Sequence, residues 1–293
     1  MLAEIALLLM AVIWGVNYSV IKYGTTVVPP LAYNGMRITI AAISLTAIAV
    51  LWGGDIPRGR ELFALLALGA LGNGIYQVFF IEGLSRTRAG EAALVVGASP
   101  ALMALVGRMR GVERVDRRRG AGIAISIFGV GLIVLGRAVN GESAQGGSLA
   151  GDLLVLCGSV CWAVYTVFLV PYTTRVSGWW VTALTVLGGS CVLIVIGAHD
   201  LLTVNWIHLP SSAWAAIVYS GLGALVIAYI FWYYGVRMLG PTRTALYGNL
   251  QPLIALLVAW LTLGEIPTAW QGLGAASIVS GVLLTRVQAS EAT

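Results

Sequence analysis

Trp14, Asn17 and Tyr18 are spaced i, i+3, i+4, which puts an indole, an amide and a phenol on one face of a helix. Three more segments carry such a stripe: Asn73, Tyr76, Gln77 and Phe80; Trp162, Tyr165 and Thr166; and Thr244, Tyr247, Gly248 and Gln251. The chemistry open to these groups is non-covalent. Aromatic faces bury an apolar group, and amides donate to and accept from a polar one. Groups for catalysis are missing. Lys22 is the one lysine and no glycine-rich run precedes it, so there is no nucleotide-binding loop of the Walker type. No HExxH motif, buried acid pair or Ser/His pairing occurs within an apolar segment. The stripes therefore point to binding, and an enzyme is not expected.

The elements that position these stripes belong in a bilayer. Of 293 residues, 59% are hydrophobic and 10% charged, against roughly 25% charged in an ordinary soluble domain. A hydrocarbon core about 30 Å thick needs about 20 apolar residues per helix. The chain has room for ten such spans, expected at 4–22, 32–52, 62–82, 89–107, 120–137, 152–171, 179–197, 212–234, 243–262 and 271–286. The first is apolar enough to suggest a signal peptide. It lacks a basic leader and a small-x-small cleavage site, and is expected to remain as a transmembrane helix.

The chain also repeats itself. Residues 97–122 lie over 249–274 without a gap, so that Pro100 meets Pro252, Glu113 meets Glu265, Gly120 meets Gly272 and Gly122 meets Gly274, all at an offset of 152. The same offset carries Gly69 onto Gly221 and Gly83 onto Gly235, and an offset of 148 lays WGVNYSV (14–20) over WAVYTVF (162–168). Residues 1–140 and 150–287 are thus expected to form two related units. Five spans per unit is an odd number, so the second must enter the membrane in the opposite sense, as an inverted repeat.

The repeat sorts the stripes. That of the first helix falls on that of the sixth. The third-helix stripe falls on Leu225, Ala228, Tyr229 and Trp232 of the eighth, and the ninth-helix stripe loses most of its polar character on the fourth. Corresponding faces on pseudo-symmetric helices imply a central cavity lined by both units. Two other readings stay open: amides that only join helices, and aromatics that form an interfacial belt. The belt suits Trp52, Trp179, Trp206 and Trp214, near span ends, better than the stripe residues.

Pro100 and Pro252 fall within spans, where each frees the carbonyl four residues back and can kink or flex a helix. Arg37 lies within the second span. It could hold a substrate carboxylate, snorkel outward or brace neighbouring carbonyls. No acid stands mid-helix, which argues against a proton or sodium relay. Gly122-xxx-Ser126 and Ser277-xxx-Gly281, on the fifth and tenth helices, allow close approach, either within the bundle or between two copies.

With a cytoplasmic N-terminus, twelve basic residues fall on inner segments and four on outer ones, so both termini are expected inside. The net charge of +5 is then a matter of topology. The basic run at 114–119 has no interleaved aromatics, so nucleic acid is not expected as a partner. Cys157, Cys161 and Cys191 lie within spans; Cys157 and Cys161, one turn apart on one face, are expected to be small packing residues and not a disulfide or metal site. His199, Asp200 and His208 share an outer loop that could hold a metal weakly, though a solvated loop is the plainer reading. No cofactor or metal is expected.

WGVNYSVIK at 14–22, Arg37 within GMRITIAA, and the closing segment 241–284 resemble the opening and end of an EamA-type repeat. The resemblance covers nearly the whole chain, twice. It belongs to the drug/metabolite transporter superfamily, and within that is nearest to the YddG group of bacterial inner-membrane exporters of aromatic and other amino acids. It implies an all-α membrane protein of ten helices around a central cavity. It supports Trp14, Asn17, Arg37, Trp162, Tyr165, Pro252 and Glu265 as family positions. The segment GRMRGVE (107–113) departs from the pattern, its Arg108 and Arg110 replacing apolar residues, so the fourth helix is expected to leave the membrane early. The expected function is export of aromatic and other neutral amino acids by alternating access from the bacterial inner membrane. Drugs or other metabolites are the alternative cargo, and a non-transporting scaffold is a remote one.

Overall fold

The computed structural model describes residues 2–111, 117–140, 147–239, 244 and 247–286. Glu113, Arg114 and Arg243 lie outside the described residues. The described chain is helical and membrane-embedded. Its ten principal helices are α1 (Leu2–Val27), α2 (Pro30–Trp52), α3 (Arg60–Arg86), α4 (Ala89–Met109), α5 (Arg117–Asn140), α6 (Leu149–Thr173), α7 (Gly178–Ile196), α8 (Ser211–Leu239), α9 (Gln251–Leu263) and α10 (Ala269–Arg286). Seven of these are long and apolar enough to cross a bilayer, and α5, α9 and α10 contain shorter apolar stretches. Such segments become helices because hydrocarbon offers no partner to a backbone N–H or C=O, and an α-helix satisfies nearly all of them internally.

The helix ends follow local chemistry. Pro30 opens α2, where its missing N–H costs nothing. Ser148 caps α6 by accepting from the Gly151 N–H at 3.1 Å. Gly264, with φ 68°, closes α9 in the left-handed conformation that glycine takes without strain. Thr268 and Gln271 form a reciprocal capping box ahead of α10. The fourth helix ends at Met109, two residues before the position that matches the end of α9.

Two features escape hydropathy. Residues Ala70–Ile75 of α3 and Tyr219–Ile227 of α8 are π-helical, and the 152 offset carries the first onto the second. A π-turn inserts a residue into the helical register, and such turns recur at functional sites. Here each ends where an aromatic pair begins, Tyr76 and Phe80 in α3, Tyr229 and Trp232 in α8. The other feature is a break at Ala98, which divides α4 into Ala89–Gly97 and Ser99–Met109. Pro100 and Pro252 both sit in the first turn of a helical segment, not in the middle of an unbroken one.

Contacts between the halves come in corresponding pairs. α1 packs on α8 as α6 packs on α3, α1 on α9 as α6 on α4, and α2 on α8 as α7 on α3; α2–α7, α4–α9 and α5–α10 are self-paired. Glycines set the closest crossings. A Cβ on Gly69 would lie 2.1 Å from the Thr185 carbonyl oxygen, and one on Gly188 2.2 Å from that of Leu66, so α3 and α7 touch backbone to backbone. In α5 and α10, Gly281 abuts Gly122 and Ser126, and Gly129 abuts Gly274. The small-residue patterns of these helices are therefore spent on each other within one chain.

Candidate binding site

Rings of α1, α3, α6 and α8 form an arc. Tyr18 of α1 meets Phe80 of α3 edge-on with centroids 5.7 Å apart; Phe80 lies 5.6 Å from Tyr76, Tyr76 5.2 Å from Trp162 of α6, and Trp162 5.1 Å from Tyr165. One turn before Tyr18, Trp14 extends the arc to α8, with centroids 5.8 Å from Tyr229 and 5.9 Å from Trp232. Trp14 also donates its indole N–H to the Ala224 carbonyl at 2.9 Å, inside the π-helical segment of α8. A widened turn presents a carbonyl that a regular helix would keep within its own ladder, which gives that segment a structural reason.

Burial divides the candidates into two groups. Trp14, Asn17, Tyr76, Trp162, Tyr229, Trp232, Tyr247 and Gln251 are half-buried. Tyr18, Asn73, Gln77, Phe80 and Tyr165 are buried and engaged behind them. The amides prove to be largely occupied by the protein. Asn17 accepts from Ser220 at 2.7 Å, Gln251 donates to the Tyr18 hydroxyl at 3.1 Å, and Gln77 accepts from Arg37 at 2.8 Å. Asn73 lies beside the Tyr165 hydroxyl, which itself donates to Thr185 at 3.3 Å. Joining helices is thus a real part of what these amides do, alongside any contact with a ligand.

Arg37 does not snorkel. Its side chain is 1% exposed, with Nε donating to Asn34 and Nη2 to Gln77, both at 2.8 Å. It is braced by side-chain amides, not by backbone carbonyls. Asn34 in turn donates to the Gln77 carbonyl at 2.9 Å, so α2 and α3 are clamped around the guanidinium. Asn34, Tyr33 and Ser220 had not stood out in the sequence. Asn34 precedes Arg37 by three positions on one helix face, a signal that was there to be used. Ser220 becomes a buried polar tie only because α8 folds against α1 and α2.

One end of the bundle is closed by polar ties. Glu265, after α9, accepts the backbone N–H groups of Ala89 and Gly90 at 2.9 and 3.1 Å, and Arg88 donates to the Ile266 carbonyl at 2.7 Å. Burial lowers the pKa of the Arg88 guanidinium from its ordinary value, and Glu265 pushes it partly back. Gln271 donates to Glu91 at 2.9 Å, Thr87 donates to Asp152, and Lys22 donates to the carbonyls of Leu84, Ser85 and Thr87. Ends of α1, α3, α4, α6 and α10 and the α9–α10 turn are thereby held together. In the loop of Ala198–Thr203 and Trp206–His208, His208 pairs with Asn205, and no metal-ligating group of three occurs among the described residues. Cys157, Cys161 and Cys191 are free thiols; Cys157 is exposed on the outside of its helix and is not a packing residue.

A helical bundle with an aromatic arc shared by its two halves defines a multi-pass membrane transporter. The chain matches the profile of the EamA-like transporter family over residues 1–135 and again over 149–287, and it belongs to that family. It is 30% identical to the uncharacterized inner membrane transporter YedA of Escherichia coli K12, over 95% of this chain and 89% of that one. It is 29% identical to a probable terminal-alkyne amino-acid exporter of Streptantibioticus cattleyicolor, over 95% of this chain and 91% of the relative. A probable amino-acid metabolite efflux pump of Salmonella typhimurium is 27% identical over 94% and 92%. A solved crystal structure superposes with a TM-score of 0.66 over 96% of this chain and 95% of its own, at 23% identity, and so shares the fold. Transport, not catalysis, is the activity of the family.

Proposed function

We propose that this transporter exports amino acids with aromatic or other apolar side chains, by alternating access between two inverted five-helix units and without ion coupling. The observation that carries the reading is the arc of rings contributed by α1, α3, α6 and α8, two helices from each half. Rings from both halves can enclose an apolar side chain from two sides, and relative movement of the halves would part them. The relatives named as an amino-acid exporter and an amino-acid metabolite efflux pump support the substrate class. Absence of a mid-helix acid from the sequence supports facilitated diffusion.

The charge pattern supports a bacterial inner-membrane protein with both termini in the cytoplasm. The polar closure at Glu265, Arg88 and Lys22 then lies at the outer end, and cargo enters from within. Uptake into proteoliposomes carrying the purified protein tests the reading, comparing phenylalanine, tryptophan, threonine and lysine with and without a proton gradient. Saturable, gradient-independent flux favouring phenylalanine and tryptophan is the expected result. Flux of none of them sinks the substrate assignment.

A further inference from the structure

The guanidinium of Arg37 is buried. Among the described residues no aspartate or glutamate pairs with it, and the groups facing it from its own helix, from α3 and from α8 are neutral. Those groups are the amides of Asn34 and Gln77, which it hydrogen-bonds, and the phenols of Tyr33, Tyr76 and Tyr229, which lie within electrostatic range of it. A lone charge in a low-dielectric interior is costly, and amide dipoles offset only part of that cost. The guanidinium edge at Nη1 is left over, since Nε and Nη2 are the atoms bound by Asn34 and Gln77. The hydroxyls of Tyr76 and Tyr229 are left over too: neither hydrogen-bonds to a described residue, whereas Tyr33 is held by Ala216 and Ser220.

The two halves treat this position differently. Gly221 packs against the backbone of Arg37 as Gly69 packs against that of Thr185, and Thr185 lies 148 residues after Arg37, the offset that relates α1 to α6. The second half therefore has a hydroxyl bonded within its own helix where the first has a cation. Packing at this crossing does not require an arginine.

We propose that Arg37, with the Tyr76 and Tyr229 hydroxyls, forms the site for a substrate carboxylate, and that the carboxylate, not the ammonium, is the group this transporter requires. The inference deepens the substrate reading above and rests on it. One cation with two phenolic donors matches one carboxylate, each bond to it being charge-assisted. Tyr76 and Tyr229 belong to the aromatic arc, so a carboxylate held at their hydroxyls leaves its apolar side chain against the rings. Among the described residues no acid pairs with Arg37, so an ammonium finds no group of opposite charge there. The substrate class is then small carboxylates with an apolar or aromatic side group, whether or not the amine is free.

The test is calorimetric titration of the purified protein with phenylalanine, N-acetylphenylalanine and phenylalaninamide. Phenylalanine and its N-acetyl derivative should bind, and the amide should bind at least about tenfold more weakly, the loss of a charge-assisted hydrogen bond. Arg37→Gln should abolish that discrimination and Arg37→Lys should restore part of it. If Arg37→Gln does not fold, the double variant Tyr76→Phe, Tyr229→Phe should weaken both carboxylates several-fold and leave the amide unchanged. Equal affinity for the amide, no binding of either carboxylate, or discrimination that survives in Arg37→Gln overturns the site. If N-acetylphenylalanine binds and phenylalanine does not, the amino-acid reading falls and the carboxylate site stands. If phenylalanine is carried into liposomes and the amide binds as well as it does, the site falls and the amino-acid reading stands.

Discussion

The carboxylate of Glu265 accepts the N–H of Ala89 across 176 positions of sequence, and that of Gly90 beside it, so a residue of the last loop caps a helix of the first half. A helix N-terminus carries unsatisfied donors and a partial positive charge, and Glu265 answers both. Glu265→Ala should cost about 1–2 kcal/mol, the range for losing a cap with its favourable charge. Glu265→Gln, which keeps an acceptor, should cost less. Thermal unfolding in detergent measures both, and an unchanged midpoint in Glu265→Ala would show that the tie adds nothing.

The crossing of α3 and α7 leaves no room at Gly188, where even a Cβ would strike the Leu66 carbonyl. Gly188→Leu should force the helices apart and lower the unfolding midpoint, at a cost of at least about 1–3 kcal/mol. Gly131, around which nothing lies within 4 Å of an added Cβ, serves as the control. Gly131→Ala should be neutral or slightly stabilising.

Tyr76 and Trp162 join the two halves of the arc at 5.2 Å, whereas Trp52 is 67% exposed at the end of α2. Trp162→Ala and Tyr76→Ala should each reduce flux of an aromatic amino acid about tenfold or more, with the protein still monodisperse on size exclusion. Trp52→Ala should leave flux unchanged. Equal losses at all three positions would mean that the arc is structural only.

Orientation can be read by labelling. With Cys157, Cys161 and Cys191 replaced by alanine, a cysteine at Ile207 lies in the loop after α7 and one at Ile56 in the loop after α2, and both positions are exposed. A membrane-impermeant maleimide applied to intact cells should label Ile207→Cys and spare Ile56→Cys. The opposite pattern would invert the topology and put the polar closure at the cytoplasmic end.

Much of this protein could be read along the chain, because lipid imposes one simple rule. Apolar runs of sufficient length must be helices, and their positions, with Trp14, Tyr76 and Trp162 on polar stripes, follow from counting. The π-helical segments could not be read that way. They depend on what each helix meets across a crossing, such as the Trp14 indole at the Ala224 carbonyl. Nor did composition reveal that Gln77, which looked like a ligand group, is held by Arg37.

The sequence by itself determined that the chain is a helical membrane protein made of two similar halves, since burial in hydrocarbon and internal similarity are properties of residue order. Only the tertiary structure decided which polar groups satisfy one another and which are left for a ligand. Asn34, Arg37 and Gln77 neutralise much of each other's polarity only when α2 and α3 are packed. Hydrogen bonding is short-ranged and directional, so spacing along a helix can bring a polar group to the right face but cannot name its partner.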